Sequence, residues 1–563
     1  MKKLIVFANA TLQLLQQHVT LVAVICAYSL LHLIWVLQDK SPALWDIAGH
    51  SYRSAWYWKL FTENILVGPL AVLQFETIYP PLQYIVTIPW YMIFGSNASI
   101  PQLSLLFWIW LFLISLYAVS LKVFDSKKAA VVSLVAVSMA PLFLHMSRVY
   151  FLDFPLTASV TAFVAALLYS DNGKQRSWTI AAGIAAAATL LIKWVAIIFL
   201  LGPLLFVLWN IVRESKLLST KKRKEAATNI LLSFFATVIL LAPWYILHSS
   251  TVLASAEKTR NNIFSVPYEN LFSLENAWYY MDRLLLSAGW PIILFSLFAI
   301  IILWKQKNEY RWLLFFWFIV PYIIMTFFLH SKESRYFLPV YPMLFIAMGV
   351  YGTMLRKKIM ALCVAPILLV GLFVQGEMLS STQLLPESLT RFGKTTMNYL
   401  YRTVKAKNPR YGFTYPSNFY PEVQRIPYDI MAHLIDRPTL ETDIHITVIP
   451  NGIFLTAQQI QFSSVLAGLH TPSSPVDYST STAIRDGDWD KYLQQSNYLI
   501  TKTGYQGPAI WGPNLSDIAA IEEGYYDTGT DSIFSQFELL HKYTVTELNG
   551  KEQIIRLYYN PQQ

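Results

Sequence analysis

Only 14% of the 563 residues are charged, and only two are cysteine. Scarce charge excludes an ordinary soluble globule, because a chain that is 55% hydrophobic and 15% aromatic has too little polar surface to wrap a water-facing shell. Cys26 and Cys363 each sit inside an apolar run, so neither a disulfide framework nor a paired-cysteine metal motif is indicated. No Walker loop and no HExxH stretch occurs, and the ten histidines are scattered, which argues against P-loop chemistry and a His-rich metal site. Internal repeats, low-complexity tracts and long linkers are absent too. The net charge of +9 is split into short clusters between apolar runs. That distribution fits membrane topology and implies no nucleic-acid partner.

What the chain has in quantity is long hydrophobic runs. A helix crossing about 30 Å of hydrocarbon needs about 20 mostly apolar residues. Eleven runs qualify: 19–37, 103–121, 129–145, 154–170, 177–192, 194–212, 227–248, 287–304, 312–330, 336–355 and 359–379. With eleven spans, the basic clusters at 1–3, 122–128, 171–176, 213–226, 305–311 and 356–358 all fall on one side, as the positive-inside rule requires. The N-terminus has no small-residue cleavage site before its first run, so it reads as a cytoplasmic start followed by a retained span. The stretch YPPLQYIVTIPWYMIFG (79–95) carries three prolines, and counting it as a span would break the charge pattern. It is expected to lie along the outer interface, anchored by Trp90 and Tyr91.

This topology leaves several charges on the outer rim, where the rule does not explain them. Asp46 follows the first span in ALWDIAGHSYRSAWYW, with His50 and Arg53 behind it in an aromatic amphipathic segment. A carboxylate there suits proton abstraction from an acceptor hydroxyl; it equally suits a helix N-cap. Glu76 and Tyr79 precede and open the paired prolines of FETIYPPLQY. Arg148 and Asp153 lie in HMSRVYFLDFPLTASV, where the planar guanidinium matches a phosphate and Asp153 either orients it or caps the next helix. Lys193 is a lone cation between two apolar runs, suited either to a site or to snorkelling. Lys332, Glu333, Arg335 and Tyr336 open a span in LHSKESRYFLPVYP. Its basic side chains could grip a lipid phosphate, or belong to a solvated loop partly neutralised by Glu333. A divalent cation held by the carboxylates of Asp46 and Glu76 stays open as a cofactor.

Beyond about residue 380 the apolar runs shorten. Strands are expected at 445–450 and 497–501, an amphipathic helix at 454–469, and a hairpin at 543–559 turning at Asn549-Gly550. The domains expected are therefore a membrane-embedded part, 1–380, with interfacial helices in the first outer loop (38–102), and a mixed α/β extracytoplasmic domain, 381–563.

The order of these motifs resembles a known family. An acid in the first outer loop, then E-x-x-YPPLQY, SRVYFLDFPL, a lone lysine at a span junction and KESRYFLPVYP is similar to the dolichyl-phosphate-mannose–protein mannosyltransferase superfamily, and most of all to its bacterial members related to lipid A aminoarabinose transferase. The resemblance covers most of residues 1–380 and implies a polytopic α-helical GT-C fold. It also implies that Asp46 acts on the acceptor and that Lys193 and Arg335 contact the polyprenyl phosphate, with Glu76 and the pair Arg148 and Asp153 matching the family's motifs. The residues themselves suggest Arg148 and Lys332 as further phosphate ligands, Asp153 and Glu76 as support for Asp46, and His50, Arg53, Tyr79 and Tyr336 as contacts to acceptor or sugar. Two departures, Ile47 after Asp46 and Ile78-Tyr79 before the prolines, bear on sugar and acceptor rather than on reaction class. The expected activity is an inverting transfer from a polyprenyl-phosphate sugar to a lipid, protein or glycan at the outer face of the plasma membrane. A transporter or lipid flippase is the alternative, though such proteins tend to show repeats and midplane charges that are lacking here.

Overall fold

The computed structural model describes residues 18–39, 43, 45–63, 66–75, 78–215, 219–261, 271–288, 290–354, 421–435, 444–450, 455–472, 476–480, 489–503, 533–546 and 552–562. By contacts the chain divides into two compact units. One holds residues 1–36, 73–83 and 102–415; the other holds 37–72, 84–101 and 416–563.

The first unit is helical. Four of its helical stretches are long and apolar enough to cross a membrane alone: Ile100–Phe124, Trp194–Glu214, Thr220–Leu247 and Ser334–Met354. Val19–Leu37 is a fifth such stretch, all but its last residue lying in this unit. Shorter apolar helices, Asp153–Tyr169, Ile292–Lys305 and Arg311–Phe327, pack beside them. The chain is a multi-pass membrane protein. The expected span 129–145 is broken into Lys127–Ala136, a 3-10 turn Val137–Met139 and Pro141–Met146. Pro141 explains the break, since it has no N–H to continue the ladder and pushes Ala140 to an extended conformation. The expected span 359–379 lies outside the described residues. Helices here approach closely where side chains are small: a Cβ on Gly202 would meet the Phe316 carbonyl, and one on Gly183 the Ser233 backbone.

The second unit is built on a five-stranded mixed sheet, ordered β2-β1-β3-β5-β4. The strands are β1 (His445–Val448), β2 (Asp477–Thr480), β3 (Tyr498–Lys502), β4 (Glu538–Thr546) and β5 (Glu552–Tyr559). β1 pairs parallel with β2 and β3, while β5 pairs antiparallel with β3 and β4. The strands expected at 445–450 and 497–501 and both hairpin arms are present; the Asn549-Gly550 turn falls outside the described residues. The helix Ala457–Ala467 starts with a reciprocal Thr456/Gln459 capping box and stops at Gly468 in the left-handed conformation (φ 80°). Its Ile460, with Ile430 and Leu434 of the helix Pro421–Ile435, packs on Ile446, Val448 and Ile500 of the sheet.

The same unit takes in the first-loop helix Trp45–Glu63, which the sequence assigns to the membrane part. Gln459 Nε2 donates to the Ala43 carbonyl at 2.7 Å, and Ser96 Oγ donates to that of Leu466 at 2.7 Å. Pieces far apart in sequence thus share one hydrogen-bonded body. The helix Leu82–Phe94 has 13 residues, about 20 Å, too short to cross the bilayer by itself.

Candidate active site

In the membrane unit the chain brings three separated motifs together. Asp153 begins the helix Asp153–Tyr169 but does not cap it; the N-cap is Leu152, with no side-chain cap bond. Its carboxylate, 2% exposed, instead faces two cations. Lys193 Nζ donates to Asp153 Oδ1 at 2.9 Å, and Arg335 Nη1 lies 3.6 Å from Oδ2. Lys193 reaches it because the helix Arg176–Leu190 ends just before it, and Lys193 is extended (φ −153°) ahead of the next turn. The Leu82 N–H of the YPPLQY stretch donates to the Leu191 carbonyl at 2.9 Å, at the end of that helix just ahead of Lys193.

Glu333 completes the cluster. It accepts from Arg335 Nε at 2.6 Å through one oxygen and from the Tyr336 hydroxyl at 3.3 Å through the other. Aromatic faces fix both cations in place: Lys193 Nζ sits 4.6 Å from the Tyr336 ring, and the Arg335 guanidinium 4.2 Å from Phe151. Tyr79 is close enough to Tyr336 to act on it electrostatically. Two positive and two negative side chains thus form a neutral network in a largely buried setting. An anion arriving here meets cations already oriented, each still able to exchange a carboxylate for a phosphate oxygen.

Arg148 and Lys332, also expected at a donor phosphate, contact other groups of this unit. The Arg148 guanidinium is buried 4.6 Å from the Trp35 ring, within electrostatic reach of Tyr28, His32 and His145. Lys332 is buried and donates to Asn276 Oδ1 and, at 2.8 Å, to the Thr326 carbonyl. Burial pulls its pKa down to about 8, so a larger share is neutral at physiological pH than for an ordinary lysine.

Residues 66–257 match the family model described as dolichyl-phosphate-mannose-protein mannosyltransferase, a segment that includes Arg148, Asp153 and Lys193. The crystal structure of ArnT from Cupriavidus metallidurans bound to undecaprenyl phosphate matches with a TM-score of 0.55 at 15% identity, covering 95% of this chain and 97% of that one. Its apo state gives 0.53 at the same identity and coverage. The fold is that of the GT-C glycosyltransferases. The archaeal oligosaccharyltransferase AglB from Archaeoglobus fulgidus, in complex with an inhibitory peptide and a dolichol-phosphate, scores 0.47 at 11% identity, over 97% of this chain and 75% of that one. No curated protein matches the chain by sequence.

Other candidates lie in the unit that carries the sheet. Asp46 is exposed in the first turn of Trp45–Glu63, near the positive end of the helix dipole. His50 is buried, its Nδ1 2.8 Å from the Tyr84 hydroxyl, a position that braces two helices. Arg53 folds back over Gly49, where a Cβ would come within 3.0 Å of its guanidinium. Glu76 lies outside the described residues. Among the described residues no group of three His, Cys, Asp or Glu side chains is placed to hold a metal ion. The residue given too little weight in the sequence is Glu333. Its spacing two before Arg335 is a usable signal, whereas nothing local marks Phe151 or Trp35 as partners of distant arginines.

Proposed function

We propose that this protein is a membrane glycosyltransferase that moves a sugar from a polyprenyl-phosphate donor to an acceptor on the outer face of the plasma membrane. One observation carries the proposal: Lys193 and Arg335, from separate segments, converge on buried Asp153 with Glu333 behind them. Nucleotide sugars are made in the cytosol, so a transferase working outside needs a lipid-borne donor. The acceptor oxygen attacks the anomeric carbon and the bond to the phosphate oxygen breaks. The leaving polyprenyl phosphate keeps the electron pair. Lys193 and Arg335 stabilise the charge that builds on it, in a setting where little water reorganises. A single displacement inverts the anomeric centre.

In this proposal Asp46 takes the acceptor proton, with Glu76 and Asp153 in support. Arg148 and Lys332 add positive charge for the donor phosphate from buried positions, and His50, Arg53, Tyr79 and Tyr336 contribute to acceptor or sugar contact. The acceptor is a lipid, protein or glycan. The test is transfer of radiolabelled sugar from polyprenyl phosphate in proteoliposomes. Lys193→Met and Arg335→Gln should abolish turnover while inserting normally; full activity in both would overturn the assignment. Full activity of Asp46→Asn would remove Asp46 as the base. Lipid translocation without sugar transfer would favour a flippase.

A further inference from the structure

A second feature of the membrane unit shares no lining residue with the Asp153 cluster. The helices Leu274–Ala288, Trp290–Lys305 and Arg311–Phe327, with Tyr341–Met348 behind them, line a partly open cavity of about 330 Å3. It follows Trp290–Lys305 from Ile293 to Trp304, about 16 Å of helix. Leu284, Leu297, Ile300, Leu314, Phe318 and Met343 line it. Ser296 contributes little polarity, because its hydroxyl donates to the Leu344 carbonyl at 3.3 Å. Apolar cavities of this size take hydrocarbon rather than water.

Among the described residues of the lining, the one charged side chain is Arg311, at the end nearest the 305–311 turn. Its Nη1 donates to the Asn308 carbonyl at 3.2 Å, and its guanidinium lies 5.4 Å from the Trp304 ring and 5.9 Å from Trp312. Among the described residues its buried Nε has no hydrogen-bond partner. Lys305 and Lys307 share the turn, and Glu309 is its single acid. The charge pattern assigns this turn to the cytoplasm, and paired tryptophans are what a helix end carries at the headgroup level. The shape therefore calls for an amphiphile with a long apolar chain and an anionic head. The proposed donor phosphate lies beyond the opposite end of Arg311–Phe327, a helix of 17 residues, about 25 Å long.

We propose that this cavity binds an anionic glycerophospholipid of the cytoplasmic leaflet, its acyl chain between the helices and its phosphate on Arg311. The test is native mass spectrometry of the full chain in detergent, titrated with phosphatidylglycerol and with phosphatidylcholine of matched chains. Wild type should retain phosphatidylglycerol in preference. Arg311→Gln should lower that occupancy about five-fold, as expected for one basic group at an anionic surface, and weaken phosphatidylcholine less, because its choline cation already offsets its phosphate. Arg311→Lys should keep most of the preference, and Ile300→Trp should reduce both lipids by filling the cavity. Equal binding of the two lipids by wild type, or no change in Arg311→Gln, would overturn the proposal. So would displacement of phosphatidylglycerol by equimolar polyprenyl phosphate, which would assign the cavity to the donor tail.

Discussion

Neutrality of the Asp153 network makes two opposite substitutions informative. Lys193, Arg335, Asp153 and Glu333 carry two charges of each sign. Asp153→Asn leaves the group with a net charge of about +1, and Lys193→Met leaves it at about −1. A phosphate about 5 Å away feels each unit of charge by about 3 kcal/mol at an effective dielectric constant near 20. The Lys193 side chain is 16% exposed although Asp153 is only 2% exposed, so water screens part of this. Halving it gives about 1.5 kcal/mol, about ten-fold in affinity. Asp153→Asn should therefore bind a short-chain polyprenyl phosphate about ten-fold more tightly, and Lys193→Met about ten-fold more weakly, in calorimetric titrations in detergent. The double variant restores neutrality and should return close to the wild-type affinity. Both single variants should lower the thermal midpoint, because each leaves a buried charge without one partner. If both weaken binding equally, phosphate charge is not what Lys193 and Arg335 recognise there, and the proposed donor site falls.

Three further outcomes can be checked. Burial, with the Val476 N–H donating to Nδ1 at 2.8 Å, holds the His470 pKa down at about 4. Its ordinary value is about 6.5, so the stability this gives the sheet unit is complete above pH 6.5 and drains away as pH falls toward 4. At pH 5 the loss is about 2 kcal/mol, read as faster hydrogen exchange of β1 and β3 after correction for intrinsic rates; His470→Phe should flatten that dependence. Gly468→Ala should cost about 1 kcal/mol in the same unit, since φ of 80° strains any L side chain even though space is open around it. If a divalent cation on Asp46 or on Glu76 is a cofactor, dialysis against EDTA should abolish transfer and magnesium or manganese should restore it; unchanged turnover would dismiss that cofactor.

The sequence by itself determined that this is a multi-pass membrane protein with a mixed α/β C-terminal domain, because hydrophobic run length and strand periodicity are local properties. It also marked Asp153, Lys193 and Arg335, since a charge flanked by apolar runs is costly wherever the chain goes. It could not say which charges meet. That depends on helices ending at Leu190 and beginning at Asp153, and on a 3-10 turn starting at Ser334 that turns Arg335 toward Asp153. Tertiary structure alone decided that Arg148 lies over the Trp35 ring, that Lys332 bonds to Asn276 and Thr326, and that Glu333 pairs with Arg335. It likewise joined the first-loop helix to a sheet some 400 residues later, through bonds such as that from Gln459 to Ala43. Such pairings are long-range contacts chosen by packing and charge compensation, and no local pattern along the chain encodes them.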